Sequence, residues 1–223
     1  MYTVNNPPIL YFGTPVVLIS TKNEDGTFNV APISSVFWLG YRCMIGISTQ
    51  SKTTENIIRT KECVLNLPSV KEAAFVNRLV LTTGSSPVPP GKLRRGYTHV
   101  HDKFSHSGLT AIKSEVISSP RVKQCPVQME ASFVGMHPLG AENGFHDVRV
   151  MAIEFRILRV HLDETILMQG DPNRVDPDKW RPLIMSFQEF YGLGDKVHPS
   201  ALASIPEKLY TTKDTEGAAQ VVR

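Results

Sequence analysis

Five hydroxyl side chains and one lysine follow each other closely in the segment Ser48-Thr49-Gln50-Ser51-Lys52-Thr53-Thr54. The segment lies between a predicted strand and a predicted helix, so backbone N–H groups at the helix N-terminus add to these donors. Hydroxyls, N–H groups and an ammonium are together the donors that bind a phosphate. Simple helix capping would need only one of the hydroxyls. The segment alone leaves capping and phosphate binding open.

Two other segments carry side chains that could bind a ligand. The basic cluster Lys92-Leu93-Arg94-Arg95 could bind a phosphate, for example that of a dinucleotide, although such a short cluster is often only a solvated surface. His99 and His101 would point to the same side of a strand and could hold a metal ion with His106 nearby. The alternative is a polar loop with three solvated histidines, since no carboxylate is clearly placed as a further ligand.

Several common catalytic and cofactor-binding motifs are absent from the sequence. It contains no Gly-x-Gly-x-x-Gly after a strand, no Gly-x-x-x-x-Gly-Lys-Ser/Thr, no Gly-x-Ser-x-Gly and no Cys-x-x-Cys. These absences argue against a Rossmann or P-loop enzyme, an α/β-hydrolase and a cysteine-bound zinc site.

Composition and charge restrict the class of protein further. Lys plus Arg is 24 against 21 for Asp plus Glu, and this excess is too small to predict nucleic acid as a partner. No apolar run approaches the roughly 18 residues of a membrane span, and the first basic residue is Lys22, so neither a membrane anchor nor a signal peptide is predicted. The three cysteines have no close pair. We therefore expect a reduced, soluble, cytoplasmic protein.

The elements that must position these residues begin with a β-rich first third. The Asp25-Gly26 pair predicts a tight primed hairpin turn, because glycine tolerates the positive φ that such a turn requires. Pro32 cannot donate a hydrogen bond, so pairing on one side of the returning strand should stop there. We predict strands over Val16–Thr21, Thr27–Ala31, Cys43–Ser48 and Cys63–Leu67, and helices from Ser51 or Thr53 to Arg59 or Thr60 and over Lys71–Leu79.

The rest of the chain combines irregular segments with two further strands. Pro and Gly predict an irregular loop over Thr82–His106, long enough to be functional. We predict strands over Val127–Val134 and Val148–Leu162. A helix is the alternative for the second, and its change of apolar phase after Ala152 indicates a β-bulge. The expected fold is mainly β with short helices: an antiparallel, nearly closed barrel over residues 1–170, with residues 171–223 as an extension packed on the same domain.

Three segments taken together resemble the flavin reductase family, which has the FMN-binding split-barrel fold. They occur in the family's order within residues 14 to about 165, which makes the three more specific than any one alone. The first block is Asp25-Gly26-Thr27-Phe28-Asn29-Val30-Ala31-Pro32-Ile33-Ser34-Ser35; the second is Lys52-Thr53-x-x-Asn56-Ile57 followed by Glu62-Cys63-Val64-Leu65-Asn66-Leu67; the third is Asp102-Lys103-Phe104, Ser107-Gly108-Leu109-Thr110 and Pro126-Val127-Gln128-Met129-Glu130.

The resemblance implies an antiparallel split β-barrel that binds FMN, with FAD as an alternative. By this resemblance, the isoalloxazine ring would contact Asn29, Ala31, Pro32, Ser34, Ser35 and either Phe37 or Trp38, and the phosphate would be bound by Ser48, Thr49, Gln50, Ser51, Lys52 and Thr53. Hydride would pass from NADH or NADPH to the flavin, so no catalytic side chain is expected. The family also implies a homodimer with the flavin site at the interface, and a partner oxygenase as the user of reduced flavin.

The chain departs from the family pattern in two places. Gly144-Phe145-His146-Asp147-Val148 stands where the family often carries Gly-Asp/Glu-His, and the Thr82–His106 loop and the tail go beyond the minimal domain. Two alternatives to a flavin reductase therefore stay open. One is a non-catalytic, FMN-carrying electron-transfer protein of the flavoredoxin type, and the other is a β-barrel binding module without flavin.

Overall fold

The computed structural model describes residues 1–141 and 149–220, and strands dominate its regular structure. The strands are β1 (Phe12–Pro15), β2 (Val17–Lys22), β3 (Phe28–Ile33), β4 (Val36–Leu39), β5 (Arg42–Ser48), β6 (Glu62–Leu67), β7 (Thr82–Thr83), β8 (Thr98–His99), β9 (Ala111–Ile112), β10 (Arg121–Val122), β11 (Val127–Leu139), β12 (Val150–Leu162), β13 (Leu167–Met168), β14 (Asp171–Val175), β15 (Ile184–Ser186) and β16 (Glu189–Tyr191). The helices are α1 (Lys52–Thr60), α2 (Ala73–Leu79), α3 (Pro90–Leu93), α4 (Lys103–Ser107) and α5 (Lys213–Gln220), with 3-10 turns at Val70–Glu72, Glu164–Ile166, Ala201–Ser204 and Glu207–Tyr210. Among the described residues, no helix is both long enough and apolar enough to cross a bilayer.

Seven antiparallel strands form the main sheet, in the order β3-β2-β6-β11-β12-β5-β4. The two edge strands, β3 and β4, follow each other closely in the chain. The two edges of the sheet must therefore lie side by side, and the sheet curls into a barrel that is split between β3 and β4. This confirms the predicted fold class, a mainly β antiparallel split barrel with short helices.

The β2–β3 hairpin turns at the predicted Asp25-Gly26 pair, but the turn is not of the primed type, because Gly26 has a positive φ and Asp25 does not and the loop has three residues. Gly26 has a φ of +86°, and the Asn23 N–H donates to the Thr27 carbonyl at 2.8 Å. Pairing runs past Pro32, which lies opposite Leu18. Because β3 is an edge strand, the N–H that proline lacks removes no hydrogen bond to a second neighbour.

The segment predicted as a strand over Val148–Leu162, with a helix as the alternative, forms strand β12. Val148 itself lies outside the described residues. The β-bulge predicted after Ala152 is wrong, because the register with β5 is regular there. The extra residue of β12 is instead Leu158, opposite β11. The change of apolar phase arises because Val150 is exposed at the end of the barrel, whereas Ile153 is buried inside it.

The segment over residues 82–106 is more regular than predicted. It contains α3 and the start of α4, and β7 pairs with β8 in parallel, with Thr82 opposite Thr98. Pro90 stands in the first turn of α3, where its missing N–H would have no helical acceptor, so a proline-rich sequence can still begin a helix. Asp102 caps α4 by accepting from the Ser105 N–H at 3.0 Å.

Two hydrophobic clusters form the core. One fills the barrel with residues of β2, β5, β6, β11 and β12, and the other lies between β2, β3, α2 and α4. Leu183, just before β15, is buried in the second cluster together with Val16 and Leu18. Since β15 also pairs with β1, part of the tail is held against the same core as the first strands.

Candidate functional site

A cavity of about 330 Å³ lies where β3, β5, the start of α1 and the tail meet. Its volume falls in the range of small-molecule sites, roughly 300 to 1,000 Å³. One part of its wall is apolar, with Val16, Ile33, Ile47, Leu79, Met185 and Phe190. The other carries hydroxyls, from Ser34, Ser35, Ser48, Ser51, Thr53 and Thr82. Such a wall suits a ligand that has both a flat apolar part and a polar part.

The N-terminus of α1 borders the hydroxyl-lined part of the cavity. Ser51 is the N-cap, and its Oγ accepts from the Thr54 N–H at 3.0 Å. The N–H groups of Lys52 and Thr53 are then left without an acceptor inside the helix. The predicted helix start is confirmed, and its polar end is available to an anion in the cavity.

Asn29 lies buried behind this wall. Its Nδ2 donates to Thr53 Oγ1 at 3.1 Å, whereas its Oδ1 has no hydrogen-bond partner within the described part of the chain. Gly84 approaches closely, since a Cβ at that position would lie 2.7 Å from Oδ1 and 3.2 Å from Lys52 Cγ. A buried, unpartnered carbonyl oxygen beside a cavity is a group that a bound ligand or an ordered water can satisfy.

Two lysines place positive charge near this end of the cavity. Lys92 lines it and donates from Nζ to Thr83 Oγ1 at 3.1 Å, and burial, together with the charge of Arg95, lowers the pKa of Lys92. Lys103 is 1% exposed, and burial lowers its pKa to about 7, with the charge of Lys92 as a smaller cause. Neither lysine forms an ion pair with any carboxylate that the structure describes. The two ammonium groups therefore lack the counter-anion that a phosphate would supply.

Tyr11 and Ser35 form a hydrogen-bonded pair in the wall of the cavity. The Tyr11 hydroxyl and Ser35 Oγ are 2.7 Å apart, and both residues line the cavity. The Ser35 carbonyl accepts from the Gly46 N–H at 2.7 Å, and a Cβ on Gly46 would lie 3.1 Å from Ser35 Cβ. Glycine at this position therefore allows the close approach of β5 to the segment between β3 and β4.

The structure brings a set of the residues predicted for the flavin site to this one cavity: Ala31, Pro32, Ser34, Ser35, Ser48, Ser51 and Thr53. Asn29 lies behind the wall, and Thr49 and Gln50 lie in the turn before α1, outside the lining. Lys52 does not line the cavity either. Its ammonium group forms an ion pair with Glu55, with Nζ 2.6 Å from Oε1. Its role as a phosphate ligand stays a prediction that this geometry does not favour.

The aromatic pair predicted to contact the ring does not border this cavity within one chain. Phe37 is 54% exposed on β4, and Trp38 lines a separate apolar cavity of about 410 Å³ with Tyr41 and Trp180. Neighbouring residues of a strand point to opposite faces, so the two side chains lie in different surroundings.

The three histidines considered as metal ligands have three separate neighbours. The rings of His99, His101 and His106 lie within hydrogen-bond distance of the Ser85 carbonyl, the Asp25 carboxylate and the Arg78 carbonyl. Within residues 1–141 and 149–220, no group of three or more His, Cys, Asp or Glu is placed to hold a metal ion. The segment with His146 lies outside the described residues.

Sequence reasoning missed the contributions of Tyr11, Tyr97, Met185 and Phe190, all of which line the cavity. They come from the N-terminal strand, the long loop and the tail, and no local pattern connects these segments. Lys103 belongs to the third family-like block, and no local signal in the sequence marks it as buried.

A family model described as "Flavin reductase like domain" matches residues 9–193 of the chain. The uncharacterized protein YdfE of Bacillus subtilis (strain 168) is 37% identical over 191 residues, which cover 86% of this chain and 89% of that protein. An uncharacterized protein of Aquifex aeolicus (strain VF5) is 29% identical over 178 residues, covering 76% and 78% of the two chains.

Two solved structures show the same fold. Flavoredoxin of Desulfovibrio vulgaris (Miyazaki F) superposes with a TM-score of 0.72 at 18% identity, covering 92% of this chain and 100% of that one. Nitrilotriacetate monooxygenase component B from Bacillus cereus superposes with a TM-score of 0.68 at 20% identity, covering 89% and 98%.

Proposed function

Because the chain belongs to the flavin reductase-like domain family, we propose that it binds FMN in the cavity described above and acts as an NAD(P)H-dependent flavin reductase. The observation that carries this proposal is the composition of that one cavity. It combines apolar space for a flat ring system with hydroxyls and the ammonium group of Lys92 for a phosphate, and the N–H groups at the start of α1 border it.

The apolar part of the cavity fits the isoalloxazine ring. Ala31, Pro32 and Ile33 of β3 supply apolar surface, and the hydroxyls of Ser34 and Ser35 can hydrogen-bond to heteroatoms at the ring edge. The Tyr11 hydroxyl fixes the position of Ser35 Oγ. This assignment agrees with the ring contacts implied by the sequence for β3 and the segment after it.

The hydroxyl-lined part fits the phosphate of FMN. The Thr53 hydroxyl, whose oxygen accepts from Asn29, and the N–H groups at the start of α1 can donate to an anion, whereas the Ser51 hydroxyl is bonded to Thr54. Lys92 and Lys103 add two positive charges that no described carboxylate neutralises. We therefore assign the main electrostatic contribution to these two lysines and not to Lys52, whose ammonium is paired with Glu55.

A flavin held by these residues would supply the redox chemistry, as acceptor of a hydride (two electrons with one proton) from a dihydronicotinamide that would leave as NAD⁺ or NADP⁺. The side chains of this chain bind and orient the reactants, and none needs to act as a nucleophile. Met185 and Phe190 line the cavity and add apolar surface against which the ring could pack. Reduced flavin would then serve an acceptor such as a partner oxygenase.

The test of this proposal compares FMN with riboflavin, which lacks the phosphate. The wild-type protein should quench FMN fluorescence at micromolar concentration and oxidise NADH or NADPH with FMN present. A hydrogen bond to a charged group contributes about 1.5–3 kcal/mol, so Lys92→Met should weaken FMN roughly 10- to 100-fold and riboflavin hardly at all. Lys52→Met is the matched control and should weaken FMN much less.

Each result has a definite meaning. Failure of the wild-type protein to bind FMN would show that the proposed function is wrong. If Lys92→Met weakened the binding of FMN and of riboflavin equally, Lys92 would not bind the phosphate, but the cavity would still be a flavin site. FMN that survives dialysis without any oxidation of NAD(P)H would identify an electron carrier in place of a reductase.

A further inference from the structure

A basic segment at the rim of the cavity has no role in FMN binding as assigned above. Residues 73–101 contain no aspartate or glutamate, but they include Arg78, Lys92, Arg94 and Arg95. Arg94 and Arg95 are exposed, directly after α3. No described carboxylate forms an ion pair with either of them.

Tyr97 connects these two arginines to the cavity. It lines the cavity together with Lys92, and the Arg95 guanidinium carbon and Lys92 Nζ each lie 5.7 Å from the centroid of its ring. Arg95 Nε also donates to the Gly91 carbonyl at 3.0 Å, which holds the guanidinium beside the ring. Arg95 therefore lies beside a residue of the cavity wall, with Arg94 next to it in the chain, and Lys92 and Lys103 are more buried than either arginine.

We propose that Arg94 and Arg95 bind the phosphate groups of the nicotinamide dinucleotide at the cavity mouth, and that they make NADPH a better substrate than NADH. This inference rests on the proposed function, since it concerns the second ligand of the same site. Guanidinium groups match phosphate oxygens in geometry as well as in charge.

The preference for NADPH follows from charge. A phosphate monoester adds about 1.5 to 2 negative charges near neutral pH, so NADPH is attracted more strongly than NADH to a rim of one sign. Lys92, Arg94 and Arg95 follow each other within four residues without a described counter-ion, and the charge of Arg95 already opposes protonation of Lys92. A polyanionic ligand relieves this repulsion, and one with more phosphate relieves it further.

The test uses the full chain loaded with FMN and measures binding of NADP⁺ and NAD⁺ by calorimetry, with KM for the reduced forms as a second readout. We expect the double variant Arg94→Gln/Arg95→Gln to weaken NADP⁺ about 10-fold, as for two exposed charge-assisted contacts. NAD⁺ should weaken less than about 3-fold, and FMN affinity should not change. Added NaCl should weaken NADP⁺ in the wild type more than in the variant.

The matched control removes two exposed cations elsewhere, Lys208→Gln/Lys213→Gln; Lys208 lines a different cavity. It should leave the affinity for NADP⁺ unchanged. The inference is overturned if the wild type binds NADP⁺ no better than NAD⁺, if NADP⁺ binding survives the arginine changes, or if the control weakens it equally. If FMN binding persists in any of these cases, the proposed flavin site stands and only this assignment fails; a wild type that binds no FMN overturns both.

Discussion

Lys103 is the residue whose surroundings call most clearly for a ligand. An ammonium group transferred from water to the protein interior loses its hydration, and the structure gives Lys103 no described carboxylate in return. Folding therefore favours its neutral form, which lowers its pKa to about 7. A strongly perturbed ionisable group is typical of a functional site, and the charge of Lys92, which lines the cavity, acts on Lys103.

The first residue-scale prediction concerns stability without ligand. In the unfolded chain Lys103 keeps its ordinary pKa of 10.5, so between about pH 7 and 10.5 the unfolded state binds more protons and the wild type gains stability as the pH rises. Below pH 7 the penalty is complete. Since one pKa unit corresponds to about 1.4 kcal/mol, Lys103→Met should raise the free energy of unfolding at pH 7 by up to about 4 kcal/mol.

Urea unfolding of the FMN-free protein at pH 7 and above pH 10.5 measures this effect. The advantage of the methionine variant should shrink towards zero at the higher pH, while its affinity for FMN at pH 7 should fall and that for riboflavin should not. A variant that is less stable than the wild type at pH 7 would mean that the ammonium has a stabilising partner, and the argument for a phosphate there would be lost.

At the scale of elements, the site depends on how closely α1, β3 and the segment after β7 approach each other. Gly84 is the contact point: a Cβ there would lie 2.7 Å from Asn29 Oδ1 and within 3.3 Å of Lys52 Cβ. The Asn29 side chain is buried and holds Thr53 by a hydrogen bond, so it has little freedom to move away. Packing that is already close tolerates no added methyl group.

We therefore expect Gly84→Ala to destabilise the protein by about 1–3 kcal/mol, the usual range for overpacking, and to weaken FMN by displacing Thr53. Gly91→Ala is the matched control, because a Cβ at Gly91 meets nothing within 4 Å. Thermal unfolding and FMN titration of both variants check this. Equal behaviour of the two would show that the α1–β3 contact is more adaptable than its distances indicate.

The distance along the chain between contacting residues explains which features the sequence could predict. The position of the Asp25-Gly26 turn, the Ser51 cap and the α1 helix depend on residues close in the chain, and these predictions are confirmed. The short helix α3 differs from the predicted loop, because a proline that ends a helix at most positions can begin one at its first residue. The role of Phe190 in the cavity depends on β1 pairing with the tail, which no local pattern reveals.

At the scale of the whole molecule, apolar side chains remain exposed on three strands of the barrel sheet. They are Phe37 and Leu39 on β4, Val134, Met136 and Leu139 on β11, and Val150 on β12. Contiguous exposed apolar surface is typical of an interface. Phe37, predicted as a ring contact, lies here and not at the cavity of its own chain, so we propose that it serves a homodimer interface.

Light scattering should give twice the mass of the chain for the wild type. Phe37→Asp/Leu39→Asp should reduce this to the mass of one chain without unfolding it, because both residues are already exposed, at 54% and 74%. Leu202→Asp, at a residue that is 67% exposed in the tail, is the control and should leave the mass unchanged. A wild type with the mass of one chain would contradict the dimer.

The pairing of β1 with β15 has a consequence for how the protein is made. Pro15 lies opposite Ile184, about 170 residues later, and a ribosome adds about 5–20 residues per second. The strands of the barrel are therefore all synthesised before the segment with Phe187, whose N–H donates to the Tyr11 carbonyl. The delay between synthesis of Tyr11 and of Phe187 is on the order of 10 s. The cavity wall is completed only when Phe190 has left the ribosome. We therefore expect a nascent chain interrupted after β12 to lack Met185 and Phe190 in the wall of its cavity.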